Sequence, residues 1–234
     1  MRRLLLPLAL LVAAPAAADE RNYMLTSFDT VRVEGPFEVE IVTGGSARAA
    51  ATGVARALDQ VSVRVNGTTL VVAPAQNAWG GYPGASPAAP AKLRVTAPAI
   101  RSVVLNGGGK LRVSRMGGPR VLLVLTGAGT IDVAAVDAER LDVTLTGTGA
   151  VTLAGRARTA RFQSDGAGAI DAGALTADAL VANVQSSGDS RFAARDTANV
   201  AAFGTGLVEV AGKAVCTSRG TAPVRCGERA PPRQ

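Results

Sequence analysis

Histidine is absent from this 234-residue chain, and only two cysteines and eight aromatic residues are present. Without histidine there is no imidazole general base. The commonest metal ligand is missing, and so are the Ser-His and Cys-His arrangements of nucleophilic catalysis. The two cysteines lack C-x-x-C spacing and have no histidine to complete a zinc site. So few aromatics give no base-stacking platform, which disfavours a nucleic-acid partner. No segment reaches eighteen consecutive apolar residues, so no membrane-spanning helix is expected and any membrane association would be peripheral. No helical apolar period and no strand-to-helix G-x-G-x-x-G context is evident, which argues against dinucleotide or phosphate cradles.

What the chain does contain is a recurring Gly-centred turn: "LNGGGKLRV", "LTGAGTIDV", "LTGTGAVTL", "SDGAGAIDA", "SSGDSRFAA" and "FGTGLVEV". Taking Gly107, Gly127, Gly147, Gly166, Gly188 and Gly204 as the register gives spacings of 20, 20, 19, 22 and 16. Apolar residues stand four before the register residue (Val103, Leu123, Val143, Phe162, Val184, Val200) and four after it (Leu111, Ile131, Val151, Ile170, Phe192, Val208). The sixth position after it is apolar too, so each flank alternates with the period of two of a half-buried strand. The fifth position carries Arg112, Asp132, Thr152, Asp171, Ala193 and Glu209, a mostly polar set pointing away from the core. Glycine inside a strand costs roughly 0.5–1 kcal/mol relative to alanine, so its recurrence marks a corner that needs positive φ.

Matching residues about twenty apart imply that each strand stacks on its counterpart in the next coil. The expected fold is an all-β parallel β-helix of about six coils of ~20 residues. The alternative, an antiparallel sandwich with turns every ten residues, leaves the stacked likeness unexplained.

Upstream, "FDTVRVEGPFEVEIV" (Phe28 to Val42) alternates around Gly35-Pro36, and "VSVRVNGTTLVVA" (Val61 to Ala73) carries the Asn66-Gly67 hairpin signal. Residues 28–73 thus form N-terminal strands that precede the repeats. Ala47 to Leu58 is rich in alanine but broken by Gly53, and is expected to be loop or short strand. Residues 74–92, "PAQNAWGGYPGASPAAPAK", have no periodicity and form a surface loop carrying Trp79 and Tyr82, the candidate binding aromatics. The Gly-turn repeats occupy 93–214.

Residues 1–18 combine Arg2 and Arg3, an apolar stretch and Ala16-Ala17-Ala18, the three parts of a secretory signal cleaved after Ala18. The expected mature chain is exported, periplasmic or extracellular, with one domain over 19–214. Residues 215–234 are expected to be a disulfide-closed segment with a polar tail. Cys216 and Cys226 would be oxidised in that compartment, pinning the chain end to the last coil. The net charge of +7 falls to +5 once the signal leaves. Arg219, Arg225, Arg229 and Arg233 make the C-terminal region cationic, fit either for solubility or for an anionic surface such as lipopolysaccharide.

The segments "FDTVRVEGPFEVEI", "VNGTTLVV", "LRVTAPAIRSVVLNGGGKLRV" and the succession of G-x-G turns resemble the head GIN domain family of auto-transporter adhesins over Phe28 to Gly212. The resemblance implies a right-handed β-helix in an exported envelope protein. It supplies no catalytic motif, no cofactor and no metal ligand.

Three functions are compatible with these features. The first is a non-catalytic, adhesin-like envelope protein binding a glycan, a membrane component or a surface protein. The second is a carbohydrate-active enzyme on a β-helix. Asp132 and Asp171 share an offset two coils apart, roughly 10 Å at the strand spacing, with Thr152 between; that is near the separation of an inverting carboxylate pair. The third is a purely structural envelope component that self-associates through its ends. Asp165, Asp171 and Asp189 are the residues a calcium site would draw on, although the tandem G-G-x-G-x-D pattern of calcium-binding β-rolls is missing.

Overall fold

The computed structural model describes residues 19–75 and 91–227. The expected signal segment 1–18, most of the 74–92 loop with Trp79 and Tyr82, and Arg229 and Arg233 lie outside the described residues. Seventeen strands and one single-turn helix are described. In chain order they are β1 (Asp19–Met24), β2 (Thr30–Glu34), β3 (Glu38–Thr43), β4 (Arg48–Gly53), α1 (Ala55–Asp59), β5 (Val61–Asn66), β6 (Thr69–Pro74) and β7 (Lys92–Ala97). There follow β8 (Ser102–Asn106), β9 (Lys110–Val113), β10 (Met116–Gly127), β11 (Thr130–Gly147), β12 (Ala150–Gly166), β13 (Ala169–Ser186), β14 (Ser190–Phe203), β15 (Val208–Ala211), β16 (Val215–Gly220) and β17 (Val224–Gly227).

These strands wind a parallel β-solenoid. On one broad face, β7, β3, β9 and the first segments of β11, β12, β13 and β14 stack in parallel register and continue into β15 and β17. On the other, β6, β2, β8, β10 and the later segments of β11 to β14 lead to β16. A third, narrow side joins them, where Met116 pairs with Val136 and Gly118 with Ala138. Antiparallel strands close the N-terminal end: β1 and β4 beyond β7, and β5 beyond β6 through the Asn66-Gly67 hairpin. Residues 47–58 contain both a strand, β4, and the turn of helix α1, which buries Ala57 and Leu58 against the core.

The N-terminal strands precede the repeats in chain order but not in space. The coil formed by β2 and β3 lies between the β6/β7 coil and the β8/β9 coil. Its entry is fixed at Asp29, whose carbonyl accepts the N–H groups of Arg101 and Ser102 and whose carboxylate pairs with the Arg101 side chain. That hydrogen bond holds the Asp29 carboxyl below the usual range.

At the repeated Gly corner the two glycines are required for different reasons. Gly147 has φ of 117°, and a Cβ there would stand 2.5 Å from the Gly127 carbonyl oxygen of the coil before it. Gly149 lies outside the positive-φ region, yet its Cβ would also fall 2.5 Å from the Gly129 carbonyl oxygen. One position needs the dihedral; the other needs the space.

At the fifth corner the structure corrects the sequence register. Gly166 pairs with Ser186, not with Gly188, so corners recur at 20, 20, 19, 20 and 18 residues. Ser190 and Phe192 therefore continue the Ile170 and Ala172 columns. Ser186 replaces the corner glycine by bonding: its buried hydroxyl donates to the Gly168 carbonyl at 2.8 Å and accepts from the Gly188 N–H at 3.0 Å. The differences in coil length are absorbed at the opposite corner, where the register slips between Val133 and Val136, Thr152 and Ala154, and Ala172 and Thr176.

The interior is made mainly of stacked apolar columns, such as Val103, Leu123, Val143, Phe162, Ala182 and Val200 in consecutive coils, with Ser164, Ser186 and Ser190 as buried polar members. Volume is balanced between neighbours. Phe162 is followed by Ala182 and Phe192 is preceded by Ala172, and the two rings meet at a centroid distance of 4.7 Å. At the far end, Cys216 and Cys226 follow Ala198 and Val210 in inward register and are joined as a disulfide with Cα atoms 6.4 Å apart. A covalent bond thus takes the place of the side-chain contact that closes the other coils.

Two outcomes test this account. Gly147→Ala combines backbone strain with a backbone collision and should cost about 3 kcal/mol, a fall of roughly 6–12 °C in Tm. Gly44→Ala, with φ of 103° but open space around the Cβ, should cost about 1–2 kcal/mol. Equal melting temperatures for the two variants would refute the close-approach explanation. Replacing Cys216 and Cys226 by alanine should remove about 2–3 kcal/mol. Hydrogen exchange should show faster opening confined to β15, β16 and β17.

Candidate functional site

The outward positions of the first broad face carry an ordered row of charge. Across successive strands it runs Arg94, Glu40, Arg112, Asp132, Thr152, Asp171, Arg191, Glu209, Arg225. Arg94 reaches Glu40 at 3.9 Å, Arg191 reaches Asp171 at 3.6 Å and Glu209 at 3.5 Å, and Arg225 reaches Glu209 at 3.9 Å. Like charges directly across strands destabilise a sheet and opposite charges stabilise it, so the alternation supports the stack. Thr152 interrupts the alternation, separating two carboxylates.

At the N-terminal end of this face a second row joins the first. Lys92, Glu38 and Lys110 are consecutive in register, and Glu38 lies 3.8 Å from each lysine. The strands β7 and β9 carry the same tetrapeptide, Lys-Leu-Arg-Val, at 92–95 and 110–113, and β3 places Glu-Val-Glu-Ile (38–41) between them. Sequential winding would have set Lys on Lys and Arg on Arg one strand apart. Inserting β3 puts a carboxylate between each pair of cations.

These two rows, with Glu20 of β1 and the small Ala50 and Thr52 of β4, line a cleft of about 500 Å³. The floor is low because β4 presents short side chains where β7, β3 and β9 present long ones. Arg112 is exposed and, although flanked in register by Glu40 and Asp132, forms no ion pair among the described residues. Two of the chain's three lysines, Lys92 and Lys110, face this cleft.

Asp132, Thr152 and Asp171 occupy successive strands, as their shared offset implies. Asp171 is engaged by Arg191 and accepts the Gly173 N–H at 3.1 Å, so it serves its own turn and its neighbouring strand. Asp189 accepts the Leu207 N–H at 2.9 Å and so ties its turn to the corresponding turn of the next coil. Among the described residues no three His, Cys, Asp or Glu side chains are grouped to hold a metal ion, and no helix is long and apolar enough to cross a membrane. On the narrow side Arg156 donates to both Asp137 carboxylate oxygens through Nε and Nη2, at 2.9 and 3.0 Å, which lowers the Asp137 carboxyl pKa.

The cleft is absent from the sequence-based candidates because its residues are scattered from 20 to 112 and meet only through the interleaved coil. The repeated Lys-Leu-Arg-Val was the available signal.

Residues 27–214 match the family described as "Putative auto-transporter adhesin, head GIN domain". The chain belongs to that family. Its fold is shared with a "putative adhesin" from Bacteroides fragilis at 20% identity and a TM-score of 0.79, over 91% of this chain and 98% of that one. A "putative adhesin" from Parabacteroides merdae gives 14%, 0.68, 92% and 97% in the same order. A "putative lipid binding protein" from Parabacteroides distasonis gives 17%, 0.70, 92% and 98%. At these identities the likeness shows the fold of the head GIN domain and nothing narrower. No curated protein matches the sequence.

Charge reversal tests the interleaving. Glu38→Lys with Glu40→Arg turns attractive cross-strand contacts of about 0.2–1 kcal/mol each into repulsive ones, for a total loss of about 2 kcal/mol. The loss should shrink in 1 M salt, where screening is short-ranged. A loss independent of salt would show that packing, not charge, holds β3 between its neighbours.

Proposed function

We propose that this head GIN domain is a non-catalytic, adhesin-like module of an exported envelope protein, and that it binds a surface polymer or partner on its charged broad face. The observation that carries this reading is the cleft of Lys92, Arg94, Lys110 and Arg112 around Glu38 and Glu40 on an otherwise rigid solenoid. A scaffold of stacked strands holds such side chains at fixed intervals without cost to the ligand, which is the use of pre-organisation in binding. Family membership and the adhesin descriptions of its structural neighbours agree with a surface role. The engagement of Asp171 by Arg191 and a backbone N–H favours binding over hydrolysis, since an inverting pair needs both carboxylates directed at substrate and water.

A binding screen of the protein against envelope polysaccharides, lipopolysaccharide and lipid vesicles tests this. Lys110→Ala with Arg112→Ala should weaken binding by about tenfold, as expected for losing charge-assisted contacts. Trp79→Ala and Tyr82→Ala should leave it unchanged if the cleft is the site. Loss of binding only in the Trp79 and Tyr82 variants would move the site to the 74–92 loop. Release of sugars from any polysaccharide would replace the binding role by an enzymatic one.

A further inference from the structure

We infer that the cleft takes an acidic polysaccharide in which every second sugar bears a carboxylate, lying along the solenoid axis across β7, β3 and β9. This deepens the binding role proposed above and rests on it. Lys92 and Lys110, like Arg94 and Arg112, are separated by one intervening strand, about 10 Å at the strand spacing. Within each strand the two cations are two residues apart, about 7 Å. The four cations therefore form the corners of a rectangle, with Glu38 and Glu40 on its midline.

Each corner can pair with an anionic group. The midline cannot, because a carboxylate already stands there; it accepts hydrogen bonds from hydroxyl or amide N–H groups instead. A ligand that fits has anions about two strand spacings apart and neutral donors between them. In an extended sugar chain that interval corresponds to two pyranose units, with the acid on alternate sugars. A polymer charged at every unit would place an anion over Glu38 or Glu40, and a phosphate headgroup lacks the second anion at the required distance.

Surplus charge points the same way. Glu38 is already shared between two lysines, and Arg112, although flanked in register by Glu40 and Asp132, forms no ion pair among the described residues. Glu20 lies on β1, separated from Lys92 by β4, outside the rectangle. The cleft's volume of about 500 Å³ falls within the range of ligand sites and suits a short run of sugars.

Hyaluronate, whose carboxylate recurs on alternate sugars, is the probe. The purified protein is titrated calorimetrically with hyaluronate, polygalacturonate, dextran and vesicles containing anionic lipid, at low and high salt. Hyaluronate should bind more tightly than the other three, and the affinity should fall steeply with salt. Arg112→Ala and Lys110→Ala should each weaken it about tenfold. Arg191→Ala, further along the same face, should not. Glu38→Leu with Glu40→Leu, which removes both the charge and the acceptor oxygens, distinguishes the geometry from simple attraction. Removing two negative charges would strengthen binding of any polyanion by bulk electrostatics, whereas loss of the two midline acceptors should weaken hyaluronate several-fold. Stronger binding in that double variant, equal binding of polygalacturonate or vesicles, or indifference to Arg112→Ala overturns the inference. Binding of a different envelope polymer through the same cleft overturns the inference but leaves the adhesin-like role standing, while failure of every polymer and partner overturns both.

Discussion

Parallel, in-register stacking places every side chain about 4.8 Å from its counterpart in the coil above and the coil below. That single spacing governs what each position tolerates. At the Gly corner the stacked object is a carbonyl oxygen, and it approaches so closely that no Cβ fits at Gly127, Gly147 or Gly149. In the core it is another hydrocarbon, and two large rings cannot follow each other in one column, so Phe162 gives way to Ala182. On the first broad face it is another charge, and no two like charges stand in adjacent register along the Arg94–Arg225 row, so Arg191 stands between Asp171 and Glu209. The three patterns differ in chemistry and share one cause.

The same constraint accounts for what could be read from the sequence. A column repeated every twenty residues leaves a periodic trace, so the Gly corners, the apolar offsets and the Asn66-Gly67 hairpin were legible without coordinates. The trace failed at Gly188 because a stacked corner requires space and hydrogen bonds, not glycine as such. Ser186 meets the requirement with a non-positive φ and a hydroxyl that bonds across the corner. The glycine two residues on, Gly188, belongs to the second position of the motif, where it clears the Gly168 carbonyl. Periodicity counts residues of a kind, and here the kind had changed while the stacking position had not.

The interleaved coil was illegible for a different reason. Nothing in the period of two says which strand a strand will stack on, and winding in chain order is the simplest assumption. The deciding information is electrostatic and spread over residues 38–112: Glu38-Val-Glu at one place, Lys-Leu-Arg at 92–94 and again at 110–112. Two identical cationic strands flanking one acidic strand have a best stacking order, and it differs from chain order. The candidate site inherits this dispersion, since it exists only once β3 lies between β7 and β9.

Stability and recognition are linked at that point. The pairs made by Glu38 and Glu40 are long, 3.8 to 3.9 Å, and their cations are more than half exposed, so each contributes little against water and salt. Their collective role is to select one stacking order among alternatives, for which small energies of the right sign suffice. Because the cations are weakly held, they can turn to an incoming anion with little lost inside the protein. Deeply buried, tightly bidentate pairs would have fixed the stack more firmly and left nothing to offer a ligand. A solenoid whose core and corners already supply rigidity can leave its surface charges loosely paired, and loose pairing on a rigid lattice is what an electrostatic binding face requires.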